Sequence, residues 1–212
     1  MSLRWKIAQA AEIRWWRRYL KTKDKKEYIA WKQSYWQTFF EKTSLVLAKD
    51  ARILDAGCGP AGIFMLFKEQ PVDALDPLLD SYQADLPHFE KSDYPNTRFI
   101  ALPLEVFQKH ELYDAVFCLN AINHVADLDK SFDVLVAATK RGGDLTISID
   151  AHNYIGLKRI FQFLPGDILH PHQYDLKDYQ NMLIQRDCSI ERTILYKKEF
   201  IFSYYVLVAK KN

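Results

Sequence analysis

The sequence has few cysteines, no long apolar run and almost no net charge, and each absence excludes a class of protein. Its three cysteines are far apart and form no C-x-x-C pair, which argues against a disulfide framework or a zinc site. No apolar stretch approaches the roughly 18 residues of a membrane span. The formal net charge is only +2, so bulk charge gives no reason to expect a nucleic-acid partner. Since the chain also starts without a signal peptide, we expect a cytoplasmic protein.

Glycine is scarce as well, yet three of the seven glycines fall within the short stretch Asp55 to Gly62. The apolar run before it, Ala51 to Leu54, is typical of a buried strand, and Ile63 to Lys68 after it is predicted to be a helix. Glycines allow a sharp turn and a close approach to a ligand. This order of strand, glycine loop and helix predicts a cofactor-binding segment, with free N–H groups of the helix facing the loop.

An acidic residue follows each of the first two predicted strands. Asp55 comes directly before the glycines, and Asp76 follows the apolar run Val72 to Leu75. A carboxylate at the first position would repel a pyrophosphate but attract a cation such as an α-ammonium group. A carboxylate at the second position can accept hydrogen bonds from both hydroxyls of a ribose. These two sites fit S-adenosylmethionine better than a nicotinamide dinucleotide, which the glycine spacing alone would also allow.

With these residues in view, the segment D-A-G-C-G-P-A-G resembles the cofactor loop of the class I S-adenosylmethionine-dependent methyltransferases. The usual family form has a glycine where this chain has Ala61, displaced here to Gly62. The resemblance implies an α/β, Rossmann-like fold with a seven-stranded, mostly parallel sheet, an antiparallel C-terminal hairpin and additional N-terminal helices. It implies a methyltransferase domain over residues 44–212, preceded by a helical lid or cap over residues 1–43.

The resemblance also implies which residues contact the cofactor. In the family, the loop after the third strand places an apolar side chain on the face of the adenine and an acidic group near its amino edge, and Leu104 and Glu105 fit these roles. Asn120 follows the predicted fourth strand, Tyr113 to Leu119. The full set of predicted cofactor-binding residues is Asp55, Gly57, Cys58, Gly59, Gly62, Asp76, Pro77, Leu104, Glu105 and Asn120.

Candidate acceptor-binding residues follow the fourth and fifth strands, where open α/β sheets bind their ligands. A general base is needed only for a protonated acceptor, and histidine suits that task because its unperturbed pKa is about 6.5. A helix cap at residue 124 and a rigid loop over residues 170–172 remain open as alternatives. No metal site is predicted, since the spacing matches no metal motif. We expect catalytic roles for His124, Asp150 and His152, and acceptor contacts from His170, His172 and Tyr174.

The opening segment is strongly basic, because lysine and arginine far outnumber acidic residues over residues 1–26. Helices predicted over residues 3–22 and 25–42 carry aromatic residues at three- and four-residue steps. Three interpretations stay open. The aromatic side chains pack on the sheet beneath a solvated basic face, the helices form a substrate lid, or the first helix makes a weak contact with a membrane surface.

The sequence therefore predicts a cytoplasmic S-adenosylmethionine-dependent methyltransferase that acts on oxygen or nitrogen of a small molecule. Asn120 is followed by Ala121, so the N-P-P-[YFW] signature of enzymes that methylate base amino groups is absent, and no nucleic-acid partner is expected. Two alternatives remain. One is a methyltransferase for a lipid or isoprenoid acceptor at the membrane surface, and the other is a non-catalytic S-adenosylmethionine-binding scaffold.

Overall fold

A computed structural model describes residues 3–152, 174–198 and 202–212 of the chain, and in this part strands and helices build one seven-stranded sheet. Both predicted N-terminal helices are confirmed within two residues at each end. The helices are α1 (Leu3–Leu20), α2 (Lys25–Thr43), α3 (Leu79–Asp85), α4 (Leu128–Ala138) and α5 (Leu176–Ile184). The strands are β1 (Ile53–Ala56), β2 (Val72–Leu75), β3 (Thr97–Ile100), β4 (Tyr113–Cys118), β5 (Thr139–His152), β6 (Cys188–Lys198) and β7 (Phe202–Lys211).

The strand order is β3-β2-β1-β4-β5-β7-β6, which confirms the predicted fold. Strands β1 to β5 run parallel, and β7 lies antiparallel between β5 and β6 as the predicted C-terminal hairpin. The carboxyl ends of the parallel strands therefore meet at one edge of the sheet. The order reverses between β1 and β4, and the crevice at such a reversal is where open α/β sheets bind ligands.

The core lies on both faces of the sheet, because successive strand residues point to opposite sides. Ile53 of β1 belongs to a buried cluster that includes Trp36 and Phe39 of α2, whereas the next residue, Leu54, belongs to a cluster with α4 and α5. Helix α2 is thus part of one covering layer. No helix in the described residues combines the length and the apolarity that crossing a bilayer requires. The separate helical cap over residues 1–43 stays a prediction.

The predicted helix over Ile63 to Lys68 is wrong, since two 3-10 turns, Gly59–Ala61 and Ile63–Leu66, take its place. The Phe64 N–H donates to Asp55 Oδ2 at 3.0 Å, which fixes the chain directly after the glycines. Pro71 precedes β2 so closely that no helix of ordinary length fits between the loop and the next strand. The glycine loop consequently has no α-helix N-terminus facing it.

The glycine pair at residues 142–143 lies inside the long strand β5. The pairing of β4 with β5 shifts register between Tyr113 and Ala115, and Gly142 opposite this region has a φ of +71°. Such an irregularity bends a strand without ending it. The two glycines at this point therefore mark a bulge in β5 rather than a connection.

Candidate functional site

The glycine loop between β1 and the 3-10 turns is held against its neighbours by backbone contacts. The N–H groups of Gly57 and Cys58 both donate to the Leu75 carbonyl at the end of β2, at 2.7 and 3.1 Å. Gly57 has a φ of +70°, and a Cβ on it would lie 2.3 Å from Cβ of Ala121, in the loop after β4. Glycine is required here for its conformation and for space. The loops after β1 and β4 therefore touch at the reversal of strand order.

Asp55 lies beneath this loop and supports it. The residue is 2% exposed, its Oδ2 accepts the Phe64 N–H, and a Cβ on Gly62 would lie 2.3 Å from the same oxygen. Only glycine at position 62 leaves room for this carboxylate. Burial raises the pKa of Asp55 to about 7, although the backbone hydrogen bonds lower it. The predicted contact between Asp55 and a ligand ammonium stays a prediction.

Asp76, at the end of β2, binds the glycine loop from the other side. Its Oδ2 accepts the Gly59 N–H at 3.0 Å and its Oδ1 accepts the Leu78 N–H at 2.8 Å. Each carboxylate oxygen can accept a further hydrogen bond, as a ribose site requires. Burial raises the pKa of Asp76 to about 7, and the negative charge of Glu12 on α1 also raises it.

Helix α1 lies over this part of the loop, although none of its residues was predicted individually to belong to the site. Glu12 Oε1 accepts the Tyr82 hydroxyl of α3 at 2.8 Å and the Trp16 indole N–H at 3.4 Å. The Trp16 ring lies 4.0 Å from the position that a Cβ on Gly59 would take. Only the aromatic spacing of the helix pointed towards these contacts in the sequence.

Helix α2 contacts the same edge of the sheet closer to β4. The Trp36 indole N–H donates to the Ala61 carbonyl of the glycine loop at 2.9 Å. The preceding residue of α2 is Tyr35. It lies beside Asn120 in the loop after β4 and beside Tyr204 of β7. The two N-terminal helices together cover the carboxyl ends of β1, β2 and β4.

The segment after β4 is tied to β5 by two polar contacts. Asn120 has a φ of +55°, and its N–H donates to Ser148 Oγ at 2.7 Å. The Asn123 side chain is buried and donates to the Asp150 carbonyl at 3.3 Å and to the Tyr179 hydroxyl at 3.2 Å. Sequence reasoning missed Asn123, although its place in the polar segment after a predicted strand is a signal. It positions the two loops on which acceptor residues are predicted.

The two residues predicted to contact the adenine differ in their surroundings. Leu104, in the loop after β3, is buried in the core cluster that includes residues of α4 and α5. Glu105 Oε1 accepts the N–H groups of Ala126 and Asp127 at 2.6 and 3.3 Å, so this carboxylate binds the backbone that leads into α4. A contact between Glu105 and the adenine stays a prediction that would use its other oxygen.

The predicted acceptor residues lie only partly in the described structure. His124, which ends the 3-10 turn Ile122–His124, and Asp150 are exposed, and the Tyr174 ring packs 5.9 Å from that of Tyr179. Within the described residues, no group of three or more His, Cys, Asp or Glu could hold a metal ion. The residues outside the description are His170, His172 and the side chain of His152.

A family model described as a methyltransferase domain matches residues 28–192, and no curated protein matches the chain. Three similar solved structures are all low in sequence identity. The YcgJ protein of Bacillus subtilis is 13% identical, with 82% of this chain and 97% of that chain covered and a TM-score of 0.62. The 1,6-didemethyltoxoflavin-N1-methyltransferase of Burkholderia thailandensis, solved with 1,6-didemethyltoxoflavin and S-adenosylhomocysteine, is 15% identical (90% and 91% covered, TM-score 0.59). The magnesium protoporphyrin IX methyltransferase of Synechocystis, solved with S-adenosylhomocysteine, is 20% identical (85% and 83%, TM-score 0.58).

The contact between Gly57 and Ala121 yields a first prediction. We expect Gly57→Ala to lower the free energy of unfolding by roughly 2 kcal/mol more than Gly142→Ala, in urea denaturation. Both glycines have nearly the same positive φ, but a Cβ on Gly142 meets no atom within 4 Å, so the difference isolates the clash. Ala121→Gly should recover most of that difference in the double mutant. No recovery would contradict the contact between the two loops.

The buried carboxyl groups yield a second prediction, on pH. The folded chain keeps protons on Asp55 and Asp76 that the unfolded chain releases near pH 4, so these groups make the free energy of unfolding fall between about pH 4 and about pH 7. Glu12→Gln removes a negative charge beside Asp76 and should make this fall shallower. Urea denaturation at several pH values measures it, with Glu41→Gln on the exposed face of α2 as the control. Parallel curves for wild type and Glu12→Gln would contradict the coupling.

Proposed function

Because the chain belongs to the methyltransferase domain family, whose model matches residues 28–192, we propose that it transfers a methyl group from S-adenosylmethionine to an oxygen or nitrogen atom of a small molecule. The observation that carries the proposal is the edge of the sheet where Asp76 binds the glycine loop beneath α1. This arrangement combines a ribose acceptor, a glycine-rich loop and two helices that pack against that loop.

The strand order sets the direction in which the cofactor would lie. Asp76 at the end of β2 would accept the ribose hydroxyls, and Leu104 after β3 would provide an apolar surface for the adenine. The methionyl part would then extend over the glycine loop after β1 towards Asn120 after β4. Among the predicted residues, Gly57, Cys58, Gly59, Gly62 and Pro77 would line this path.

Methyl transfer from a sulfonium is an in-line displacement. A lone pair of the acceptor forms the new bond to carbon while the bond between sulfur and carbon breaks, and its electrons stay on sulfur, which leaves as the thioether S-adenosylhomocysteine. The methyl carbon is already activated, so the protein acts chiefly by alignment and by excluding water. A hydroxyl or ammonium acceptor must also lose a proton, and we assign that task to His124, Asp150 or His152.

Helices α1 and α2 favour a small acceptor. Trp16 lies against the glycine loop and Trp36 is hydrogen-bonded to it, so an acceptor would have to reach the strand ends past these helices. A small molecule could do this, whereas a nucleic acid or a folded protein would require the helices to move away. Two proteins of the same fold, named above, are methyltransferases for 1,6-didemethyltoxoflavin and for magnesium protoporphyrin IX, which agrees with this choice.

The function is tested first by calorimetric titration with S-adenosylhomocysteine and with NADH. We expect binding of the first alone, and a loss of affinity of at least roughly tenfold in Asp76→Ala. Asp80→Ala, on an exposed carboxylate nearby, is the control, and thermal unfolding checks that both variants are folded. Binding of NADH alone, or unchanged affinity in Asp76→Ala, would refute the cofactor. Turnover of S-adenosylmethionine with small-molecule acceptors then separates an enzyme from a non-catalytic scaffold.

A lipid or isoprenoid acceptor at a membrane surface is the second candidate, and the surface of α1 favours it. Trp15 is 54% exposed and stacks on Tyr19, Arg14 and Arg18 are exposed on the same helix, and the exposed Lys21 directly follows it. Exposed tryptophan beside basic residues is typical of helices that lie on anionic bilayers. The chain should then co-float with anionic liposomes, and Trp15→Ser should reduce the floating fraction. If the protein does not co-float, the membrane-surface acceptor is excluded and the small-molecule acceptor remains.

A further inference from the structure

Lys32 of α2 is a partly buried cation that the proposed mechanism has not used. Its Nζ lies 5.5, 5.2 and 5.3 Å from the ring centroids of Trp31, Tyr35 and Trp36. No carboxylate in the described residues forms an ion pair with it, and burial lowers its pKa to about 8. Aromatic faces offset only part of the cost of withdrawing an ammonium group from water. The site therefore favours a ligand that brings a negative charge.

The position of Lys32 follows from its two aromatic neighbours. Trp36 is hydrogen-bonded to Ala61 in the loop after β1, and Tyr35 lies beside Asn120 in the loop after β4. Those two loops meet at the reversal of strand order. Lys32 thus lies over the junction between the loops after β1 and β4, rather than over β2 where Asp76 lies.

Tyr204 of β7 lies beside the same tyrosine. Its buried hydroxyl is next to the side-chain oxygens of Tyr35 and Ser148. Tyr35 therefore connects Lys32 to the strand β7 at this edge of the sheet.

We propose that Lys32 binds the α-carboxylate of the methionyl part of the cofactor. This assignment rests on the proposed function and names a residue for a cofactor group that the predicted site left without a partner. With the ribose at Asp76, the amino-acid end of the cofactor would extend towards the junction of the loops after β1 and β4, over which Lys32 lies. Asp55, Asp76 and Glu12 are acidic and suit hydroxyl or ammonium groups, so they would repel a carboxylate.

The test compares two ligands that differ in this group. S-adenosylhomocysteine and 5′-methylthioadenosine share the adenosine and the thioether, but the second lacks the amino-acid part. Calorimetric titration of Lys32→Met should show S-adenosylhomocysteine bound at least roughly tenfold more weakly than by wild type, with 5′-methylthioadenosine affinity unchanged. Lys32→Arg keeps the charge and should bind S-adenosylhomocysteine almost as well as wild type.

Lys42→Met is the matched control, because Lys42 belongs to the same helix and its Nζ also lies over an aromatic ring, 4.8 Å from the Tyr196 centroid. It should bind both ligands as wild type does. Unchanged S-adenosylhomocysteine affinity in Lys32→Met, or equal weakening of both ligands, would overturn the assignment while leaving the proposed function in place. Wild-type protein that binds neither ligand would overturn the proposed function and this inference with it.

Discussion

The hydrogen bond from the Gly59 N–H to the buried Asp76 carboxylate is the interaction on which the rest of the site depends. It joins the end of β2 to the loop after β1, and the Leu75 carbonyl strengthens the same connection through two further N–H groups. Trp16 and Trp36 contact this loop from α1 and α2, so both helices pack against a loop that the Asp76 carboxylate holds.

The buried charged groups of the site are arranged at a cost to stability. Asp55 and Asp76 are both buried and have raised pKa values, and Glu12 adds a third carboxylate close to Asp76. Hydroxyl donors of a ribose would offset the desolvation of these groups, as a ligand carboxylate would offset that of Lys32. A site whose buried charged groups gain further partners from a ligand is stabilised by binding.

The sequence was sufficient for features that local chemistry determines. An acidic residue directly after an apolar strand is positioned by the strand itself, so Asp76 and the glycines could be found without a structure. The helix after the loop was predicted wrongly because the Asp55 side chain takes the Phe64 N–H, a contact that periodicity does not reveal. Glu105 likewise binds the backbone before α4, which is distant in sequence.

The contributions of the N-terminal helices could not be predicted residue by residue. Aromatic spacing indicated that α1 and α2 pack on something, but whether Glu12 or Tyr35 reaches the site depends on how each helix is rotated over the sheet. That rotation follows from long-range contacts, such as the Trp36 hydrogen bond to Ala61 and the Tyr82 hydroxyl bonded to Glu12. Only the fold brings these residues to the edge where Asp76 and Asn120 lie.

The central claim is that α1 and α2 complete the cofactor site. Amide hydrogen exchange over residues 3–43, with and without S-adenosylhomocysteine, tests it most directly because exchange reports local opening of each helix. The account predicts slower exchange in both helices and in the glycine loop when the ligand is bound, and no such change with NADH. Slower exchange confined to the glycine loop, with both helices unaffected, would contradict it.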